Sequence, residues 1–309
     1  MKVYYSSDDL PDFCRAVVTI GTFDGVHRGH QQILEQLRQE AARIGGETVI
    51  ITFHPHPRKV VANSQPIYLI NTIEEKIELL DKLGIDHLVV VPFTADFAQQ
   101  SPEDYIEKFL VRKCRPHTII IGYDHRFGQG RKGDYHLMEA LSPRYGYRLI
   151  EISAQVINEN TVSSTLIRDA VLKGDITAAN ALLGYDFFFD GLVVHGKKLG
   201  RSLGYPTANL KIENDEKLVP GNGIYVVQVS LEGKMYGGMM SIGVRPTIGV
   251  TERTIEVNIF DFDKEIYGQH LRVYVKKYLR EEKKFDTLEE LKEQLAVDKK
   301  ESEEFLKKV

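Results

Sequence analysis

This sequence predicts two domains: an α/β domain built on a parallel sheet, then a domain of short antiparallel strands with one terminal helix. Three observations carry the prediction. The chain has 309 residues, more than a typical single domain. Through its first half, short β-rich runs alternate with amphipathic segments, the pattern of a parallel sheet covered by helices. Around Leu182 to Asp190 helical spacing gives way to short strands and frequent glycines with no long linker between. That places the boundary near Tyr185 and the domains at 1–184 and 185–309.

Composition narrows the function classes. Apolar residues make up 42% and charged residues 27%, ordinary for a soluble globular protein. The net charge of −4 leaves no electrostatic footprint for nucleic acid, although nucleotides need only local positive groups. The first residues lack the apolar core of a signal peptide, and no apolar run is long enough for a membrane span, so a cytoplasmic location without membrane contact is expected. Cys14 and Cys114 are too few for a disulfide framework or a zinc set and are expected to be buried thiols. Whether protomers join as a homo-oligomer is not legible.

The apolar run Ala16 to Ile20 reads as a buried strand, and Gln31 to Arg43 carries Ile33, Leu34, Leu37 and Ala41 at helical spacing. Between them lies Gly21-Thr22-Phe23-Asp24-Gly25-Val26-His27-Arg28-Gly29-His30, a strand-to-helix turn. Its glycines let the backbone bend and a ligand approach, and the amides and positive dipole end of the new helix attract an anion such as phosphate. His27 and His30, three apart, share a face if the first helical turn covers them, where they can stabilise charge growing on a phosphoryl group. Solvated histidines or a metal site are the competing readings, the latter lacking further ligands at zinc spacing.

Strands are predicted at Thr48 to Phe53, His87 to Phe93, His117 to Gly122 and Tyr147 to Ile152. Helices are predicted at Thr72 to Leu83, Pro102 to Lys113, Tyr135 to Tyr145 and Ser164 to Lys173. In Phe53-His54-Pro55-His56-Pro57-Arg58 the prolines force an extended path that presents the His and Arg side chains. The loop from Gly122 to Gly133 mixes glycines with Arg126, Arg131 and Lys132, which suits ATP phosphates; Asp124 supplies a hard oxygen for Mg²⁺ or a ribose hydroxyl. In Val162 to Arg168, Ser163 or Ser164 can cap a helix, and Arg168 follows Ser164 by one turn on the same face, placed to grip a phosphate.

In the second half, Phe188 to His195, Ile224 to Leu231, Lys234 to Ile242, Thr254 to Asp261 and Leu271 to Tyr278 read as antiparallel strands of a small barrel or sandwich, with an amphipathic helix beginning near Leu288. His195 to Asn209 mixes glycines with basic groups and ends on Thr207 and Asn209, two apart on one side of an extended segment. They can supply oxygens to Mg²⁺, in a segment that is no Walker A loop. Alternation in Thr254 to Asp261 sets Ile255, Val257 and Ile259 on one face and Glu256 on the other, where a carboxylate can serve an alcohol acceptor.

The complete set of motifs resembles the bifunctional bacterial riboflavin kinase/FMN adenylyltransferase family, also called FAD synthetases. The resemblance rests on Gly-Thr-Phe-Asp-Gly-Val-His-Arg-Gly-His at 21–30, Phe-His-Pro-His-Pro at 53–57, Gly-Tyr-Asp-His-Arg-Phe-Gly at 122–128 and Ser-Ser-Thr-Leu-Ile-Arg at 163–168. Gly-x-x-x-Gly-Arg-x-Leu-Gly-x-Pro-Thr-Ala-Asn at 196–209 and the Glu256 strand complete it, in the family's order. It implies a Rossmann-like nucleotidyltransferase domain followed by an antiparallel barrel, with riboflavin, FMN and ATP as substrates, FAD as product, and Mg²⁺ in both steps. By resemblance, His27, His30 and Glu256 are catalytic. Gly21, Phe23, Asp24, Gly25, Asp124, Ser164, Thr165, Arg168, Gly196, Gly200, Arg201, Thr207 and Asn209 meet ATP. His54, Pro55, His56, Pro57 and Arg245 bind the flavin; Thr207 and Asn209 organise Mg²⁺, and Asp124 is a further candidate ligand. His125 stands where the family has Phe, so aromatic packing there does not simply carry over. A transferase for another small phosphate ester, and a flavin sensor without turnover, are the competing functions.

Overall fold

Val17–Ile20 forms β2, an inner strand of a six-stranded parallel sheet in the computed structural model, which describes residues 1–61, 67–123, 125–152, 162–196, 199–247 and 250–308. On one side of β2 lie β3 (Thr48–His54), β4 (His87–Pro92) and the short β1 (Lys2–Tyr4); on the other lie β5 (Thr118–Gly122) and β6 (Arg148–Ile152). The chain moves outward through β3 and β4, then returns past β2 to lay down β5. Strand order therefore reverses between β2 and β5, which opens a crevice above their carboxyl ends.

Alternation along the strands feeds two cores. Val17, Ile50, Leu88 and Ile120 face a layer that receives Leu34, Leu37 and Ala41 from the helix Arg28–Ile44 and Leu80 from the helix Ile73–Lys82. Val18, Val49, Val89 and Ile119 face the opposite layer, with Met138 of the helix Tyr135–Tyr145. The segment expected as one helix from Pro102 is instead a short turn, Pro102–Asp104, followed by a π-helical stretch, Tyr105–Cys114. That wider winding lines up Tyr105, Phe109 and Cys114 on the buried side. Cys114 is buried as expected, but Cys14 is exposed, because it precedes β2 on a surface turn where its backbone N–H bonds the Glu47 carboxylate.

The chain divides into two compact units, Met1–Ser164 and Thr165–Val309. The second is a closed barrel of β7 (Phe188–Val194), β8 (Ala208–Lys211), β9 (Gly223–Leu231), β10 (Lys234–Thr247), β11 (Val250–Ile259) and β12 (His270–Arg280), in the order β10-β11-β8-β7-β12-β9. Closure removes the free sheet edges. The helix Ile176–Leu183 belongs to this unit: Asn180 donates to the Val275 carbonyl and accepts from the Phe187 N–H. Between β9 and β10, Glu232 and Gly233 both take positive φ, as a two-residue type I′ hairpin turn requires.

The terminal helix, Leu288–Leu306, packs on β9 and β10 and is fastened by a buried ion pair. Arg280 donates from Nε and Nη2 to the two Asp298 oxygens at 2.9 and 2.6 Å, and Gln294 donates to the same carboxylate. Truncating one partner leaves the other charge buried and unpaired. Asp298→Ala is therefore expected to destabilise the barrel by about 3 kcal/mol in urea unfolding; a change under about 1 kcal/mol would show that the pair is not what fastens the helix.

Candidate active sites

The turn after β2 is built around its two histidines. His27 is the N-cap of the helix Arg28–Ile44, and its Nδ1 accepts the His30 backbone N–H at 3.4 Å. With Nδ1 accepting, the His27 ring carries its proton on Nε2. The rings stack with centroids 3.6 Å apart, and Phe23 meets His30 edge-on at 5.1 Å. Burial, with the positive potential of His27 and Lys76, holds the His30 imidazole well below its usual pKa, so it is neutral near pH 7. No acidic residue occupies the helix's first turn, which leaves its dipole free to favour an anion.

The turn is strained and firmly held. Phe23, Gly25 and Val26 have φ of 46°, 89° and 37°, and a β-branched residue there is costly. Asp24 is buried, its Oδ1 accepting the Ile70 and Asn71 backbone N–H groups at 3.0 and 3.3 Å. The Ser164 hydroxyl donates to the Asp24 carbonyl at 2.8 Å. Thr52 Oγ1 and Lys76 Nζ both donate to the Thr22 carbonyl, at 3.1 and 2.7 Å.

Above the sheet this turn borders a cavity of about 930 Å³. Gly21, Thr22, Phe23 and His30 line one part; Phe53, Phe93, Phe97, Tyr105 and Phe127 form an aromatic wall; Arg58, Arg126 and Arg131 bring positive charge. Of the predicted loop residues Pro57 lines the cavity, whereas His54, Pro55 and His56 do not. The His54–Pro55 peptide is cis, and His56 is buried with Nδ1 accepting from the Arg58 N–H. Asp124 lies outside the described residues. His125 keeps the aromatic packing that its departure from Phe brought into question: its ring stacks on Phe127, which stacks on Tyr105, at 5.8 and 5.0 Å. Burial, then Arg131, pushes the His125 pKa down to about 4, so a neutral ring occupies the place. Thr165 is exposed and Arg168 half-buried on their helix.

In the barrel, β8 and β11 pair so that Asn209 lies directly opposite Glu256. The Thr207 hydroxyl donates to Glu256 Oε2 at 3.1 Å, leaving its lone pairs for another partner. Asn258 donates to the Pro206 carbonyl at 2.7 Å and so fixes the approach to Thr207. Gly196 must lack a side chain, because a Cβ there would lie 2.1 Å from Asn209 Nδ2. Gly200 is tight against the Tyr205 carbonyl, and Arg201 lies 3.7 Å from Glu265. Three predicted residues, Thr207, Asn209 and Glu256, thus meet with the backbone of Gly196 behind them. Arg245 lies on β10 opposite Glu252, its side chain outside the described residues.

The sequence reading missed Lys76, Thr52 and the aromatic wall. Lys76 left a readable trace, since it interrupts the apolar stripe Ile73, Ile77, Leu80. The wall left none, because its rings come from segments far apart in sequence: the end of β3, the stretch after β4, the start of the π-helical stretch and the loop after β5.

Comparison with known proteins bears on both sites. A family model described as FAD synthetase matches residues 10–166, and one described as riboflavin kinase matches residues 183–306. The bifunctional riboflavin kinase/FMN adenylyltransferase of Bacillus subtilis is 36% identical over 293 residues, covering 93% of this chain and 92% of its own. The Escherichia coli K12 protein of the same name is 34% identical over 94% of this chain and 92% of its own. A solved Streptococcus pneumoniae structure described as a macrolide-efflux protein superposes with a TM-score of 0.88 at 31% identity, covering 98% of both chains. Among the described residues no helix is long and apolar enough to cross a membrane.

The shielded imidazoles of His30 and His125 make stability depend on pH. As pH falls from 6.5 towards about 4, unfolded chains protonate His125 and His30 while the folded unit resists, so stability is lost. His125→Phe should flatten that decline, read as urea midpoints of the sheet amides by hydrogen exchange between pH 7 and 4.5. Equal slopes in the two proteins would contradict the assignment.

Proposed function

The chain belongs to the family of bifunctional riboflavin kinases/FMN adenylyltransferases, and from that premise we propose which of its residues perform each transfer. It phosphorylates riboflavin to FMN with ATP in the C-terminal part and adenylylates FMN to FAD, releasing pyrophosphate, in the N-terminal part. The corresponding functional division is 1–184 and 185–309.

The adenylyl step belongs to the cavity above the sheet, and the stacked pair His27–His30 is the observation that carries this assignment. The FMN phosphate is already an anionic nucleophile, so no base is required. Its oxygen attacks the ATP α-phosphorus as the bond to the β-phosphate breaks. Charge grows on the α-phosphate, and imidazole N–H groups that donate hydrogen bonds are suited to hold it. Gly21, Phe23 and Gly25 bring backbone to the nucleotide, with Asp24 acting through the turn it pins. Ser164, Thr165 and Arg168 are assigned to the phosphates on their motif match. The aromatic wall suits the flavin ring, with Pro57 at its border and His54, Pro55 and His56 shaping the loop.

In the kinase step a neutral hydroxyl must become a nucleophile. Glu256, oriented by Thr207, takes the proton of the riboflavin 5′-hydroxyl as its oxygen attacks the γ-phosphorus and ADP leaves. Gly196, Gly200 and Arg201 are assigned to ATP and Arg245 to the flavin. The hard oxygens of Thr207 and Asn209, beside a Gly196 backbone with no room for a Cβ, fit a Mg²⁺ shared with phosphates. Asp124 is the candidate ligand for the other step. A bound Mg²⁺ neutralises phosphate charge.

His27→Ala or His30→Ala should abolish FAD formation from FMN while FMN formation from riboflavin persists; equal loss of both sinks the histidine assignment. Glu256→Gln should cut FMN formation by about a hundredfold or more, within the range of a general base, and spare FAD formation from supplied FMN. A chromatographic time course separates the two products.

A further inference from the structure

Lys76 is a buried cation with no part in the motifs. It is 6% exposed, on the inward face of the helix Ile73–Lys82, and its ammonium donates to the Thr22 carbonyl at 2.7 Å. Two donors share that carbonyl, Lys76 and Thr52. They fix the peptide that leads into Phe23, where the backbone enters its left-handed path. The Lys76 helix is itself anchored to the turn. Its entry residues Ile70 and Asn71 donate to Asp24, and Thr72 and Glu75 close a capping box that sets the helix start.

We propose that Lys76 is a positioning residue for adenylyl transfer: its buried ammonium clamps the Thr22 carbonyl and so fixes the backbone and the His30 ring that meet the nucleotide. The inference rests on the histidine assignment above. A carbonyl with two donors polarises its peptide and strengthens the Phe23 N–H as a donor toward an anion. The charge also acts on the ring: with His27, Lys76 opposes protonation of His30 and keeps it a neutral donor. The titratable groups that bear on Lys76 are Asp24, which attracts it, and His30, which is repelled. On its own helix, Glu75 accepts from the Thr72 N–H. Burial brings the Lys76 pKa down to about 8, so the charge is present at neutral pH and lost as pH rises through that value.

The test uses the full chain with Lys76→Met and Lys76→Arg. Met keeps length and removes the charge and the donor; Arg keeps both and stays protonated at every pH used. Lys76→Met is expected to slow FAD formation from FMN at pH 7 at least about tenfold, within what a misplaced group costs, with FMN formation from riboflavin unchanged. Lys76→Arg should restore most of the rate. In the unmodified protein the rate of FAD formation, taken relative to FMN formation, should fall as pH rises through about 8, and Lys76→Arg should abolish that fall. Full activity in Lys76→Met overturns the proposal. So does a Lys76→Arg protein as slow as Lys76→Met, or one with an unchanged alkaline fall, and the second of these arms stands even if the Met variant fails to fold. His30→Ala is run beside them. If it keeps FAD formation, the histidine assignment has failed; if it loses FAD formation while Lys76→Met does not, only the positioning role has.

Discussion

A turn with three left-handed residues between β2 and its helix cannot hold itself, and the first unit is arranged to hold it. A buried carboxylate and a buried ammonium, Asp24 and Lys76, take opposite sides of the problem. One gathers the N–H groups entering the helix Ile73–Lys82, and the other caps the Thr22 carbonyl. Burying two such charges is expensive, and a well-packed apolar pair often gives as much stability. What the polar pair fixes is direction, because hydrogen bonds specify where each peptide points and apolar contact does not. The helix Ile73–Lys82, far from the motif in sequence, thereby becomes part of the site.

The two units meet the same physical demand by different means. Both move a phosphorus group of ATP, but one acceptor is a phosphate anion and the other a neutral alcohol. The first needs donors and no base, and the residue proposed for it, His30, has an imidazole kept neutral by burial. The second needs an acceptor for a proton, and the residue proposed for it, Glu256, is a carboxylate on a barrel strand with a hydroxyl bonded to it. Rigid register performs in the barrel what the clamped turn performs above the sheet: pairing of β8 with β11 sets Asn209 opposite Glu256 without reliance on loop geometry.

Much of this was legible in the sequence, for reasons that can be named. Continuous apolar runs mark β2, β3, β4 and β5 because parallel strands are buried on both faces, and strict alternation marks β11 because one face of a barrel strand is inside. The helix Tyr135–Tyr145 and the start of the last helix at Leu288 were read directly. Three-residue β1 and four-residue β8 were missed, being too short for a period to show. Ile176–Leu183 was missed because its apolar residues surround the helix rather than forming one stripe. In the candidate sites, motif residues could be named because spacing is local. Lys76 and the aromatic wall act through tertiary contacts, and these leave at most one polar residue on an apolar stripe as their trace.

His125 shows how far a motif can drift while its physics stays. The family's pattern has a phenyl ring here, and an imidazole carries two polar nitrogens and a proton that it gains near neutral pH in water. Placed against Phe127, itself stacked on Tyr105, the half-buried ring is shielded on one face and its Nε2 is buried, and Arg131 adds a positive field. Both effects disfavour the cation, so what remains is a flat neutral ring of nearly the right size. The polarity has not vanished: Nε2 is buried without a hydrogen-bond partner, a cost that Phe would not carry. The substitution therefore keeps the wall's shape and stacking and places its cost in stability rather than in the geometry of the cavity.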